Sequence, residues 1–289
     1  MFNTAEELLR LCQSQKISIG RVALETEIKS SGSSESELMD KMRGILTVMR
    51  ESSSAGLTGE IKSLSGLTGG NAYLMNIYSE EGITYCGKAV NKTIARAFSS
   101  SEVNSAMGRI AAAPTAGSCG ILPAVIMTAS EIFPTSDENI LLSLFTASAI
   151  GAIIAHSATL SGAEGGCQAE CGAATAMSAA AAVELAGGTP EMSLHAGAIA
   201  LKCILGLVCD PVAGLVEIPC SKRNAMGAVN ALSAADMALA GVISLIPFDE
   251  VVTAMAKIGK TLPCELKETA QGGLAATPTG RKIAKKILG

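Results

Sequence analysis

Residues 110–208 carry one basic side chain, Lys202, against seven acids, Glu131, Asp137, Glu138, Glu164, Glu170, Glu184 and Glu191. Within that stretch, residues 139–163 have no charge and are apolar on every face, the pattern of a helix enclosed on all sides. Residues 173–186 and 194–208 repeat the pattern, parted by the breaker Gly187-Gly188-Thr189-Pro190. The enclosure must be lipid or protein. Residues 139–163 are long enough to span a bilayer, but they are rich in Ala, Gly, Ser and Thr. Insertion scales reward Leu, Ile and Phe, and flanking basic clusters and aromatic belts are missing. In the neighbouring uncharged residues 110–130, Pro114, Gly117, Gly120 and Pro123 interrupt any span. Protein enclosure is therefore expected, with no membrane partner.

Composition says how such helices pack. The chain of 289 residues is 48% hydrophobic yet only 3% aromatic, without Trp, so small residues carry the apolar character and elements can approach closely. Charged residues at 17% fall below the roughly 25% of ordinary soluble domains, which excludes a disordered chain. A net charge of -4 lacks the basic stripe of a nucleic-acid binder.

Residues 1–50 are different, with seven basic and seven acidic side chains. Thr4 with Glu7 reads as a capping box. Residues 31–36 form a polar loop, and Leu38, Met42, Ile45 and Met49 recur at helical spacing. This part is expected to be a charged helical cap on a larger body. Further helices are expected over 236–245 and 249–260, and the only modest strand patterns are 72–78 and 216–218. The expected fold is all-α, a compact bundle of small-residue-rich helices with glycine-rich loops, forming one catalytic domain over residues 1–289.

Nine cysteines stand against two histidines. The first fifteen residues carry Glu6, Glu7 and Arg10 where a secretory signal would be apolar, so the expected compartment is the cytoplasm, with thiols reduced. Cys12, Cys203 and Cys264 sit in amphipathic contexts and read as small buried hydrophobes. Cys119, Cys167, Cys209 and Cys220 instead abut glycine or proline. Such loops let thiolates converge while backbone N–H groups reach cluster sulfurs. No Cys-x-x-Cys pair is present, and Cys167 with Cys171, four apart, is a rival pair. Context alone leaves these thiols open to metal ligation, packing or redox roles, with the scarcity of His favouring iron–sulfur over zinc.

Two loops, Ser63-Leu64-Ser65-Gly66-Leu67-Thr68-Gly69-Gly70-Asn71 and Pro114-Thr115-Ala116-Gly117-Ser118, combine glycine with hydroxyl donors. They suit a carboxylate or phosphate, or serve as tight turns. His156 precedes Ser157, Ser161, Glu164 and Cys167, which makes it a candidate for proton transfer beside the alternative of a core histidine. Lys222 after Cys220-Ser221 imitates a Schiff-base lysine, but the helical reading speaks against pyridoxal phosphate.

Together these strings resemble one family, the alpha chain of bacterial iron–sulfur L-serine dehydratase. The matching strings are Ser65-Gly66-Leu67-Thr68-Gly69-Gly70, Ala113-Pro114-Thr115 and Ser161-Gly162-Ala163-Glu164-Gly165-Gly166-Cys167-Gln168. They continue with Cys209-Asp210-Pro211-Val212-Ala213-Gly214, Pro219-Cys220, Arg223-Asn224-Ala225-Met226-Gly227, Gly273-Leu274-Ala275 and Thr277-Pro278-Thr279-Gly280. The resemblance implies a [4Fe–4S] cluster buried in the bundle on Cys167, Cys209 and Cys220, with one iron open, and it demotes Cys119 and Cys171. It implies L-serine as substrate, pyruvate and ammonia as products, and a separate beta chain as partner. By extension Ser65, Thr68, Gly69, Thr115 and Ser118 are expected to hold substrate, Asn224 to line the site, and His156 to move a proton. The rivals are an L-cysteine lyase releasing sulfide on the same scaffold and a noncatalytic helical subunit.

Two departures bear on this. Ala116 stands where some relatives carry Asn, so that contact is expected to differ. Some relatives end in a cysteine that occupies the open iron, whereas this sequence ends Lys286-Ile287-Leu288-Gly289, which leads to an expectation of oxygen sensitivity.

Overall fold

The computed structural model describes residues 2–289 as a stack of helices. Three helices open the chain, α1 (Ala5–Gln15), α2 (Ile19–Ser31) and α3 (Glu35–Ala55), followed by α4 (Asn71–Glu80) and α5 (Gly87–Ser105). The middle holds α6 (Ile121–Ile132), α7 (Asp137–Ser157), the single turn α8 (Gly162–Gly165), α9 (Ala173–Leu185) and α10 (Pro190–Lys202). The chain ends in α11 (Cys220–Leu239), α12 (Phe248–Thr261) and α13 (Pro278–Leu288). Among the described residues there is no strand, only isolated bridges of Lys62 with Gly69 and Cys209 with Lys267. The all-α expectation holds.

The centre is α9, Ala-Ala-Thr-Ala-Met-Ser-Ala-Ala-Ala-Ala-Val-Glu-Leu, of which only Glu184 is not buried. Helices α6, α7, α10 and α11 pack around it. A helix of alanines offers little side-chain volume of its own, so four neighbours must come close on every side to fill the space. Helix α7 is long and apolar enough to cross a membrane, yet two-thirds of its apolar window is buried inside the protein, 67%, against α2, α3, α9 and α12. At one such crossing a Cβ on Gly20 of α2 would lie 2.1 Å from the backbone oxygen of Leu142. Only glycine permits that approach.

The charged opening segment shares this core. Leu8, Cys12, Ile19, Leu24, Leu46 and Met49 belong to the same buried cluster as the residues of α7 and α9. Ser34 and Glu37 form a reciprocal capping box at α3. At α1, Thr4 caps the Glu7 amide, while the Glu7 carboxylate reaches back to the Asn3 amide.

Several boundaries differ from expectation. Residues 72–78 are helical, part of α4, because tertiary contacts override their strand-like pattern. The Glu102 carboxylate accepts from the Asn71 and Ala72 amides at the start of α4, and Ala72 is fully buried. Residues 216–218 form a turn leading into α11. That helix starts at Cys220, earlier than expected, and stops at Leu239, ahead of Gly241 with φ +92°. Helix α7 ends at Ser157, before the cysteine loop. Cys12 is buried as expected, but Cys203 and Cys264 are exposed. Cys203 lies just past the end of α10, and Cys264 opens a 3-10 turn with no buried residue.

Candidate active site

Cys167, Cys209 and Cys220 are buried free thiols, two of them in loops and Cys220 at the start of α11, and near enough to influence one another's protonation. The first loop is glycine-built. Gly166 takes φ +77°, and a Cβ there would strike Leu262 and the Leu207 carbonyl. The next residues, Gln168–Gly172, form a π-helical turn, a wide turn common at functional sites. It sets the sulfurs of Cys167 and Cys171 3.4 Å apart, sharing a hydrogen bond. Gln168 locks the turn: its amide donates to the carbonyls of Gly165 and Met255 and accepts from the Gly206 N–H.

The second loop and α11 are tied to each other. Asp210, next to Cys209, accepts from the Leu274 amide at 2.7 Å and pairs with Arg223 at 2.8 Å. Gly273 must be glycine because a Cβ would overlap the Asp210 carboxylate. Arg223 also donates to the Val208 carbonyl. Cys220 begins α11, and Arg223 lies one turn on.

Glu170 stands among these thiols, although the sequence offered it only as one acid of seven. Its carboxylate accepts from the Thr115 hydroxyl at 2.7 Å. A Cβ on Gly162 would lie 2.5 Å from Glu170 Oε2 and 3.2 Å from Cys209 Sγ. A Cβ on Gly117 would lie 2.9 Å from Glu170 Oε1. Both glycines therefore keep open the space around this carboxylate. Burial, reinforced by Glu268 and opposed by the Thr115 hydrogen bond, raises its proton affinity above the usual carboxylate.

The thiols feel one another. Burial pushes the Cys220 thiol up to about 12, with Cys167 and Glu170 adding to the rise. Cys209 is pushed up by burial first, then by Cys167, Glu170, Glu268 and Cys220. Cys167 moves the other way, lowered first by its hydrogen bond with Cys171 and then by Arg223 against the opposing cost of burial. Cys171, fully buried, holds its proton well above the ordinary range. Among the described residues neither Cys209 Sγ nor Cys220 Sγ has a hydrogen-bond partner, and no three His, Cys, Asp or Glu side chains sit close enough to share a single metal ion.

The other expected site residues divide. Thr115 and Ser118 lie 3.3 Å apart at their hydroxyls, with Thr115 on Glu170. Ser65 and Thr68 each donate to the buried carboxylate of Glu217 at 2.7 Å. Gly69, at φ +147°, passes against Ile61, where a Cβ would lie 2.4 Å from its carbonyl oxygen. Asn224 acts as a strut: its amide donates to the Gly117 and Cys220 carbonyls and accepts from the Gly120 N–H. It ties the Thr115–Ser118 loop to the helix that carries Cys220. His156 is exposed at the end of α7 and lines a groove with Thr159, Glu164, Gln168, Met255 and Lys260, to which none of the cysteines contributes.

Residues 14–275 match the family model described as serine dehydratase alpha chain. The chain is 50% identical over its full length to the probable L-serine dehydratase, alpha chain, of Bacillus subtilis, covering 96% of that protein. It is 47% identical to the L-serine dehydratase, alpha chain, of Peptoniphilus asaccharolyticus, covering 99% of it. It is 38% identical to the L-serine dehydratase of Streptomyces coelicolor over 95% of this chain, but spans 60% of that longer protein. With the family model covering most of the chain and two relatives matched end to end, this protein belongs to the serine dehydratase alpha-chain family.

Proposed function

We propose that the chain is an iron–sulfur lyase that deaminates L-serine to pyruvate and ammonia, with Cys167, Cys209 and Cys220 holding a [4Fe–4S] cluster. The observation that carries this is a set of three buried free thiols that perturb one another's protonation, with Cys209 and Glu170 facing the space that Gly162 leaves open. The residues fit such a group. Two of the sulfurs have no protein partner, and the thiols are near enough to disturb one another's protonation. The donor set is thiol alone, with no imidazole among the three, which suits iron–sulfur ligation. Ligation requires these buried thiols to give up their protons, a cost that the metal's positive charge offsets.

When bound, the cluster supplies a Lewis-acidic iron that stabilises hydroxide leaving the serine β-carbon. The chain's own groups do the rest. Thr115 and Ser118 form a hydroxyl wall beside Glu170. Glu170 Oε1 is fixed by Thr115, leaving Oε2 to take the Cα proton of the substrate. The Cα proton and β-hydroxyl leave as water, and hydrolysis of the resulting imine returns one oxygen to pyruvate and frees ammonia. Arg223, held by Asp210 and the Val208 carbonyl, keeps a positive charge beside the thiols. The cytoplasm, where thiols stay reduced, suits nine free cysteines. A separate beta chain is the expected partner, since full-length relatives are themselves named alpha chains.

The test is anaerobic purification with iron and sulfide analysis beside pyruvate assays on L-serine and L-cysteine, with and without a beta chain. The expected result is about four irons per chain and turnover of L-serine. Replacing Cys167, Cys209 or Cys220 singly by Ala should abolish the visible cluster absorbance and the activity together. Normal activity after any one of these losses defeats the ligand assignment. Preferential turnover of L-cysteine redirects the substrate, and a colourless, inactive protein overturns the enzyme reading.

A further inference from the structure

The glycine–hydroxyl loop over residues 63–70 is closed on itself. Its Ser63 N–H donates to the Thr68 carbonyl, Leu64 to Ser105, Gly66 to Ser63, and Gly70 to Ile61. The Leu67 and Thr68 amides donate to the hydroxyls of Ser65 and Ser63. Six of the eight backbone donors of residues 63–70 are thus already used. The two hydroxyl protons of Ser65 and Thr68 are used as well, one on each oxygen of Glu217. Glu217 is 5% exposed, and no basic side chain pairs with it among the described residues. With no cation to pair it, the two hydroxyl hydrogen bonds are what fix the position of this carboxyl.

Glu217 sits where that geometry matters. It occupies the turn between Cys209 and Cys220, and its backbone carbonyl accepts from the Ser221 N–H in the first turn of α11. One residue therefore grips the hydroxyl loop with its side chain and the start of the Cys220 helix with its main chain.

We propose that Glu217 is a positioning residue: acting through Ser65 and Thr68, it holds the 63–70 loop on the Cys209–Cys220 segment, so that this loop and the start of the Cys220 helix move as one body. This deepens the L-serine lyase reading and rests on it for its kinetic arm only. Ser65 and Thr68 serve the substrate indirectly, by shaping the wall it meets.

The test uses the anaerobically purified protein with Glu217→Ala, Glu217→Gln, the double variant Ser65→Ala with Thr68→Ala, and the triple combination. Amide hydrogen exchange of residues 63–70 should quicken about tenfold in Glu217→Ala and in the double variant, while Glu217→Gln, which keeps an acceptor and the shape, restores most of the protection. The KM for L-serine should rise about tenfold in Glu217→Ala, with kcat falling no more than about threefold and the cluster absorbance per chain unchanged. The triple variant should be no worse than the double, because all three changes remove one coupled unit. Unchanged exchange in both Glu217→Ala and the double variant overturns the proposal, as does a triple variant whose losses add. Should Glu217→Ala fail to fold, the double variant carries the same two readouts. If the parent protein does not turn over L-serine, the functional reading fails, and hydrogen exchange still decides whether Glu217 clamps the loop.

Discussion

Glu170 and His156 divide the question of proton transfer at the level of single side chains. Position favours Glu170: one carboxylate oxygen is fixed by Thr115 and the other lies in the space beside Gly162 and Cys209. His156 faces solvent in a separate groove. Glu170→Gln should keep the cluster absorbance and lower kcat on L-serine by about 10²-fold or more, the scale of a lost general base. His156→Asn should leave kcat within about twofold. The reverse pattern, measured on cluster-loaded protein, returns the role to the histidine. The cysteines were legible as candidates because glycine and proline flank them. Glu170 and Glu217 were not, because an acid among apolar neighbours looks the same whether it meets water or a hydroxyl from a loop far along the chain.

Helices are stitched at their crossings by a few polar groups, and Glu184 is the clearest. It projects from α9, the one residue of that helix not buried outright, and accepts from Ser18 Oγ at 2.8 Å, from the Gly20 N–H at 3.2 Å and from the Thr146 hydroxyl. It thus joins α2, α7 and α9. Burial raises its proton affinity above the usual carboxylate, with those donors opposing the shift. The sign follows from linkage. An unfolded Glu titrates near pH 4.3, so above that pH the unfolded chain releases a proton that the folded one still holds. Stability from this group therefore falls as pH rises from about 4 through the folded pKa. Glu184→Gln removes that loss, so its thermal midpoint relative to the parent should climb as pH rises from about 4. A midpoint difference that is flat or falling across this range contradicts the burial argument. Periodicity revealed most of these helices, but not where α7 stops or where α11 starts. The start of α11 is set by contacts such as the Asn224 strut and the Glu217 turn.

Across the whole molecule, charge and apolarity are sorted by depth. The apolar α7 and the alanine helix α9 lie inside, and the charged α1 to α3 cover them while adding Leu8, Ile19 and Leu46 to the same core. A chain built this way should stay in the supernatant of a high-speed spin without detergent and show a helical far-UV spectrum. Pelleting with membranes, released only by detergent, would contradict the packing of α7.

Local pattern was enough to establish that the chain is helical and that its centre is made of close-packed small residues, and it marked Cys119, Cys167, Cys209 and Cys220 as candidates, from which only the family resemblance picked the last three. Those features depend on neighbours a few residues apart, so they are written in the order of the amino acids. The rest depends on encounters between distant segments: Glu170 under Thr115, Glu217 beneath Ser65 and Thr68, Asn224 bracing Gly117, and His156 left outside. Each is a hydrogen bond or its absence across dozens of residues, and such a bond exists only once the helices have packed and water has been driven from between them.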